Sequence, residues 1–396
     1  MTSRFRNILM FSSWFPNRVQ ATNGNFVEKH IRLIARSYPV TVFQVEYDPN
    51  LPFASQEWVE TQQDNYHLLT IYFGNTFGKI GRLLYRLFLS WRAFVYLKKV
   101  KTFDLLHVHI AMPGAILGCF LDKIYKIPFV LSCHSSGFLS YNPRAYPRWQ
   151  RRFLMFCANK AIAVFPVSEA LEEALRSNGL DTNCTCIIII PNVVNTKIFT
   201  RSISGHSFDD TPLRILHISN FHPQAKNVEG ILRVAKKLEI KGFPFLLSIA
   251  GDGDLDRIKA YGKSLGVSNK LVHFHGTLQE KEVAEMMQNH HVFLLFSNYE
   301  TQGVTLLEAQ CMGMPIIATN IGGIPEIVYH AWMGELVEPK DEEALCHAIE
   351  TFSSHIAIRT QKKILEDARW RYSEEGVDEK FKTVYLEIFA ELDEEA

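Results

Sequence analysis

Two glutamates, Glu300 and Glu308, stand eight residues apart with Gly303 between them. Carboxylates so spaced can act as acid and base across one bond, or can accept hydrogen bonds from vicinal hydroxyls. On a helix, eight residues correspond to about 12 Å of rise and roughly 80° of rotation. Glycosidase carboxyl pairs lie only about 5 to 9.5 Å apart. A hydrolytic pair is therefore disfavoured, and a clamp on a sugar or ribose is the better functional reading, because each carboxylate oxygen offers two lone pairs to neutral donors. The plain alternative is a solvated helix edge.

The elements that must position these residues are legible around them. The apolar run His291 to Ser297 reads as a strand, "NYETQG" as its loop, and a helix is expected from near Gly303 through Gln310. Unpaired amides at such a start, aided by the helix dipole, favour a phosphate. Gly313 should end the helix, Pro315 open a strand, and Gly322-Gly323 form a tight turn.

Upstream, "RNILMFSS" reads as a buried strand, "FVEKHIRLIARSY" as a helix and "PVTVFQVEY" as a second strand, with an irregular loop through Asn23-Gly24-Asn25. "FDLLHVHI", "PFVLSCH", "AIAVFPVS" and "CIIIIPNVV" continue the strand pattern, mostly with helices between. The polar stretch Phe199 to Pro212 reads as an interdomain linker, after which strands and helices alternate again. Two open parallel sheets covered by helices follow, with ligands expected at the strands' carboxyl ends. The amphipathic C-terminal segment from Glu374 has no strand of its own to cover.

Composition narrows the function classes. The chain has 396 residues, enough for two domains, and 47% are apolar. Forty-two basic side chains balance forty-two acidic ones, so nothing global calls for nucleic acid. Seven scattered cysteines without CxxC spacing suggest neither zinc nor a disulfide scaffold, and Cys184 and Cys186 read as buried strand residues. The N-terminus lacks a secretory h-region, and the expectation is a cytoplasmic protein without a membrane span.

The segment Glu300 to Glu326 resembles the signature of retaining GT-B glycosyltransferases of family 4 (group 1): a glutamate, seven residues, "EA", a glycine-proline strand and "GG-x-PE". "HISNFHPQAKN", "SIAGDGDL", "VHFHGTL", "VSEAL", "IPNVVNTKIF", "WFPNRVQATNGNFVEKH" and "LSCHSSGF" fall in the family's order, from about residue 8 to 390. "GDG" at Gly251 to Gly253 lacks the third glycine of a dinucleotide fingerprint, so an NAD enzyme is disfavoured.

The resemblance implies an α/β GT-B fold: two Rossmann-like domains facing across a cleft, 1–203 for the acceptor and 204–373 for the nucleotide-sugar, with a helix from about 374 to 396 packing back on the first. It implies that Glu308 holds the ribose, Glu300 the transferred sugar, and Lys226 with the amides at Gly303 and Val304 the leaving diphosphate. Thr305, Asn220, Gly251, Gly276, Thr277 and Leu278 complete the donor side. His134 lies beside the sugar, the Gly24 loop closes on the phosphate and acceptor, and Asn25, His134 and Ser135 are the acceptor residues. His134, Lys226 and Glu300 carry the catalytic expectation, with no metal and no cofactor beyond the nucleotide-sugar co-substrate.

One departure stands out: the family usually has an arginine where this chain has Asn220, so another cation or backbone amides must compensate. The expected reaction transfers a sugar from a UDP- or GDP-type donor to an acceptor hydroxyl, free or lipid-linked, in surface polysaccharide or glycolipid synthesis. A phosphorylase, a sugar-nucleotide epimerase and a non-catalytic sugar-nucleotide binding module remain alternatives. Phe77 to Lys101 and Arg144 to Phe153 interleave cations with aromatic and aliphatic residues, which suits either an anionic membrane surface at the inner face or an ordinary core-facing helix.

Overall fold

The computed structural model describes residues 6–76, 78–181, 185–201, 212–352 and 354–394. Its contacts divide into two units: Met1–Leu139, Ala145–Ile190 and Asp378–Ala396 form the first, and Ser140–Arg144 with Pro191–Val377 the second.

The first unit is built on strands β1 (Ile8–Ser12), β2 (Val40–Tyr47), β3 (Gln56–Gln62), β4 (Tyr66–Phe73), β5 (Leu105–His109), β6 (Phe129–Cys133), β7 (Ala163–Pro166) and β8 (Cys186–Ile187). They lie in the order β3-β4-β2-β1-β5-β6-β7-β8. All the pairings are parallel except β3 with β4, and Ile8 stands opposite both Val40 and Leu105. Helices α1 (Asn25–Ile34), α2 (Gly78–Lys98), α3 (Ala111–Tyr125), α4 (Arg148–Ala158) and α5 (Glu169–Ser177) connect these strands. β1 and β5 are buried along their whole length, as a sheet covered on both faces requires. Phe11, Phe43, Phe94, Leu106 and Phe129 anchor the core, each worth about 1.5–3 kcal/mol of burial.

The second unit carries β9 (Leu213–Ile218), β10 (Phe245–Ala250), β11 (Val272–Phe274), β12 (Val292–Leu295), β13 (Ile316–Thr319) and β14 (Gly334–Val337), in the order β11-β10-β9-β12-β13-β14. Every pairing is parallel. Its helices are α6 (Pro223–Lys226), α7 (Val228–Ile240), α8 (Leu255–Ser264), α9 (Glu280–Gln288), α10 (Val304–Cys311), α11 (Glu342–Thr351) and α12 (Ser354–Tyr372). This strand order is that of a doubly wound dinucleotide-type fold.

The last helix, α13 (Glu374–Glu394), belongs to the first unit from Asp378 onward. Its apolar stripe packs there: Tyr385 is fully buried, its hydroxyl 2.6 Å from His107 Nδ1, and Tyr38 lies beside both Tyr385 and Phe389. Arg6 closes the end of this helix with an ion pair to Asp393.

Several elements depart from the sequence reading. The β3–β4 pair and β14 were not foreseen. "CIIIIPNVV" is a strand only at Cys186–Ile187, although Ile188 N and Ile190 N still donate to Val164 O and Pro166 O of β7, and from Pro191 the chain belongs to the second unit. Val194 N then donates to Tyr372 O at 2.8 Å. The second unit thus begins ahead of the polar stretch, and Phe199, expected to open a linker, is fully buried in its core. Residues 202–211 of that stretch lie outside the described residues. Cys186 is exposed rather than buried, on the strand that ends the sheet among the described residues, and Cys184 lies outside them.

Candidate active site

In the second unit β9 lies between β10 and β12, so the chain's connections diverge at the carboxyl ends of β9 and β12, where such folds hold ligands. Lys226 is the last residue of α6, after β9, and Glu300 lies in the loop after β12. Their side chains form an ion pair and are only 17% and 12% exposed. Backbone contacts hold the two loops in place: Asn298 N donates to Ala225 O at 2.6 Å, and Asn298 Nδ2 to Gln224 O at 3.0 Å.

The same loop is fixed from two other sides. Gln302 Oε1 accepts from Asn192 N at 2.9 Å and Asn192 Nδ2 at 2.8 Å, both buried. Thr319 Oγ1 donates to Ser297 O at 2.8 Å. At Gly322 (φ 57°) a Cβ would lie 1.9 Å from Glu300 O, so a glycine at this position lets the two backbones touch. Gly303, at φ 87°, is the N-cap of α10, and Val304 and Thr305 open its first turn. A Cβ at Gly303 would be 3.4 Å from Glu300 Cγ, which places the helix start beside the ion pair. Glu308 follows one turn on, buried, and Gln310 Nε2 ties the helix to Ile327 O at 2.8 Å.

Of the other expected donor residues, Asn220 follows β9 and its side chain accepts from His222 N at 3.3 Å. Gly251 N donates to Gly276 O at 3.1 Å, joining the ends of β10 and β11, and Thr277 and Leu278 continue the latter loop toward α9. His217, buried on β9, has both ring nitrogens engaged within the protein: its Nδ1 contacts Leu294 O and its Nε2 Ser219 Oγ, each at 2.9 Å, and burial pushes it down to about 4.

Sequence reasoning missed Arg144. The expectation grouped it with a basic aromatic cluster suited to either a membrane surface or an ordinary core-facing helix, but the second unit takes in Ser140–Arg144. Its Nε donates to Gln224 Oε1 at 2.9 Å and its Nη1 to His222 Nε2 at 2.6 Å. Burial, then Arg144 and Lys226, push His222 below its ordinary value, so that this ring feels two cations. No local pattern could have revealed this, because the partners are 78 and 80 residues away.

In the first unit Gly24 caps α1, and Asn25 is its exposed first residue. His134 follows β6 and is buried, its ring centroid 4.8 Å from Phe26, 5.6 Å from His30 and 6.2 Å from His109. Ser135 Oγ accepts from Gly137 N at 3.1 Å and lies 3.0 Å from Tyr146 Oη, so this hydroxyl shapes the loop. His107 and His109 face alike, as their spacing on one strand requires, and stack at 4.1 Å. Burial pushes His107 down to about 3 and His109 well below its usual range. Among the described residues His30, His109 and His134 bring ring nitrogens within 4.8 Å of one another, the one grouping whose donor types suit a divalent metal.

Residues 27–198 match the family model "Glycosyltransferase Family 4" and residues 199–369 the model "Glycosyl transferases group 1". The N-acetyl-alpha-D-glucosaminyl L-malate synthase of Bacillus anthracis is 25% identical over 295 residues, covering 72% of this chain and 75% of that protein. The amylovoran biosynthesis glycosyltransferase AmsK of Erwinia amylovora is 24% identical over 306 residues, 68% of this chain and 71% of that one. Among solved structures, sucrose-phosphate synthase from Thermosynechococcus elongatus aligns over 97% of this chain and 99% of its own with a TM-score of 0.79 at 19% identity. Anabaena Alr3699/HepE in complex with UDP and glucose aligns over 95% and 98% with a TM-score of 0.72 at 16% identity.

Proposed function

Since this chain belongs to the group 1, family 4 glycosyltransferases and has their GT-B fold, we propose that it transfers a sugar, with retention, from a UDP- or GDP-type donor to an acceptor hydroxyl. The observation that carries this reading is the Lys226–Glu300 ion pair at the carboxyl ends of β9 and β12, beside the start of α10. A donor entering here exchanges partners with the pair: its diphosphate takes Lys226, and its sugar hydroxyls donate to the released Glu300 carboxylate. Lys226 and the first amides of α10, at Gly303, Val304 and Thr305, then stabilise charge that grows on the diphosphate as the anomeric bond breaks. Glu308 accepts hydrogen bonds from the ribose diol. The acceptor oxygen attacks on the face that the diphosphate leaves, and a diphosphate oxygen takes its proton.

The names of relatives in amylovoran and colanic acid biosynthesis support an assignment to surface polysaccharide or glycolipid assembly. A location at an anionic membrane surface fits a feature of the first unit. α2 packs beside α3, and α3 beside α4. α2 exposes Ile80, Leu84, Phe88 and Trp91, and α4 exposes Trp149, Phe153 and Phe156, with Lys79, Arg148 and Arg152 exposed alongside. Apolar stripes edged by cations suit the headgroup region of a bilayer. No helix among the described residues is long and apolar enough to cross a membrane.

The test is to incubate the purified chain with a panel of UDP- and GDP-sugars, with and without sugar acceptors, and to follow nucleotide release. Acceptor-stimulated release of a nucleoside diphosphate is expected. Cleavage that requires inorganic phosphate would indicate a phosphorylase, donor isomerisation without acceptor an epimerase, and binding without turnover a silent module.

A further inference from the structure

A cavity of about 420 Å³ opens in the first unit at the carboxyl ends of β1, β2 and β4, where α2 passes over them. Small-molecule sites span roughly 300 to 1,000 Å³, so it is the size of a sugar-like ligand. Trp14, Asn23, Glu46, Tyr47, Arg82 and Arg86 define its chemistry. Asn23 directly precedes Gly24 and Asn25, the loop that the family resemblance places at the acceptor.

The charged groups are not matched to one another. Arg86 Nη2 reaches Glu46 Oε2 at 3.3 Å, while the guanidinium of Arg82 lies over the Tyr47 ring, 4.3 Å from its centroid. Arg82 Nε is buried without a hydrogen-bond partner. A buried donor without a partner costs free energy unless a ligand or water satisfies it. Burial, opposed by Arg86 and the Tyr47 amide, raises Glu46 to about 7, so this carboxyl is a weak counter-ion for two guanidiniums. The cavity therefore has excess positive charge, in planar groups that suit a bidentate oxyanion. The Trp14 ring adds an apolar surface for sugar C–H groups.

We propose that this cavity binds the acceptor, and that the acceptor is a sugar bearing a carboxylate or phosphate held by Arg82 and Arg86. This inference rests on the glycosyltransferase reading and adds the substrate class. Calorimetric titration of the full chain with neutral hexoses, uronic acids and hexose 6-phosphates tests it, with inorganic phosphate as a fourth ligand. Charged sugars should bind at least tenfold more tightly than neutral ones, and the uronic acid and phosphate arms identify the anion. Arg82→Gln and Arg86→Gln should each weaken that binding at least tenfold, Arg82→Lys should weaken it less, and Glu46→Gln should not weaken it. Equal binding of neutral and charged sugars, or charged-sugar binding unchanged in both glutamine variants, overturns the proposal. Stabilisation by UDP or GDP, measured on the same samples, reports on the donor side and on folding. Its presence with no preference for charged sugars overturns this inference alone, and its absence overturns the reading beneath it.

Discussion

Lys226 and Glu300, 74 residues apart in sequence, form an ion pair across the loops that follow two adjacent parallel strands. Both side chains are largely shielded from solvent. The pair is therefore a structural contact and, on the proposed mechanism, the two halves of a donor grip.

From sequence alone, Lys226→Ala would be expected to cut turnover with little change in melting temperature. The ion pair alters the second half of that expectation. Removing either partner strands a mostly buried charge, at a cost of about 1–3 kcal/mol. Lys226→Ala and Glu300→Ala should each lower the melting temperature and cut kcat about 100-fold or more, while the double variant regains stability but not activity. Thermal melts and steady-state kinetics on all three variants check this; single variants as stable as the parent would remove the pair's structural role.

Arg144, bonded to Gln224 and His222 just after Asn220, is the candidate we propose for the cation that Asn220 does not supply. Arg144→Ala should lower kcat/KM for the donor about tenfold. Asn220→Arg introduced into that variant should restore part of the loss, because it places a fixed charge where the family usually carries one. A rescue no larger than that by Asn220→Gln would show that Arg144 serves another purpose.

His217 and His290 are buried as neutral rings, each bonded to a carbonyl through Nδ1 and a serine through Nε2. Burial holds both near 4, against an ordinary value of 6.5. The unfolded chain therefore binds more protons between these limits, and stability present above about pH 6.5 is lost as pH falls toward 4. Each group contributes a slope of up to about 1.4 kcal/mol per pH unit in that window. Melting temperatures from pH 7.5 to 4.5 should fall, and fall less steeply in His290→Gln. An unchanged slope would mean that His290 does not contribute.

Exposed Trp149 and Phe153 on α4 lead to a prediction about location. The protein should sediment with vesicles containing anionic phospholipid and much less with neutral ones. Trp149→Ser combined with Phe153→Ser should reduce that binding severalfold without altering turnover of a soluble acceptor. Equal recovery of parent and variant with anionic vesicles would dismiss this face.

Much of the architecture was legible because buried parallel strands read as short apolar runs. Ile8–Ser12, Leu105–His109 and Val292–Leu295 each stood out in this way. The edge was less visible. Gln56–Gln62 is partly or fully exposed and carries two glutamines, two glutamates and a threonine, so it lacks the apolar signal of a strand. The helix start at Gly303 was placed by its loop and flanking glycines, and the observed helix begins at Val304. What could not be read were facts of tertiary placement. Arg144 became visible only when its segment joined the second unit, and the mismatch of Arg82 and Arg86 with Glu46 only when α2 lay over the ends of β2 and β4. Resemblance supplied roles for Glu300 and Glu308, and spacing by itself went no further than disfavouring a hydrolytic pair.

On the proposed mechanism Glu308, Glu300 and Lys226 together hold one nucleotide-sugar for transfer with retention. Proton NMR of the sugar released or transferred from a UDP- or GDP-sugar, recorded from mixing, reads both the transfer and the first-formed anomer. A product with the donor's anomeric configuration is expected, formed by the parent protein and nearly lost in Glu308→Ala. An inverted first product, or full turnover in Glu308→Ala, would contradict that mechanism.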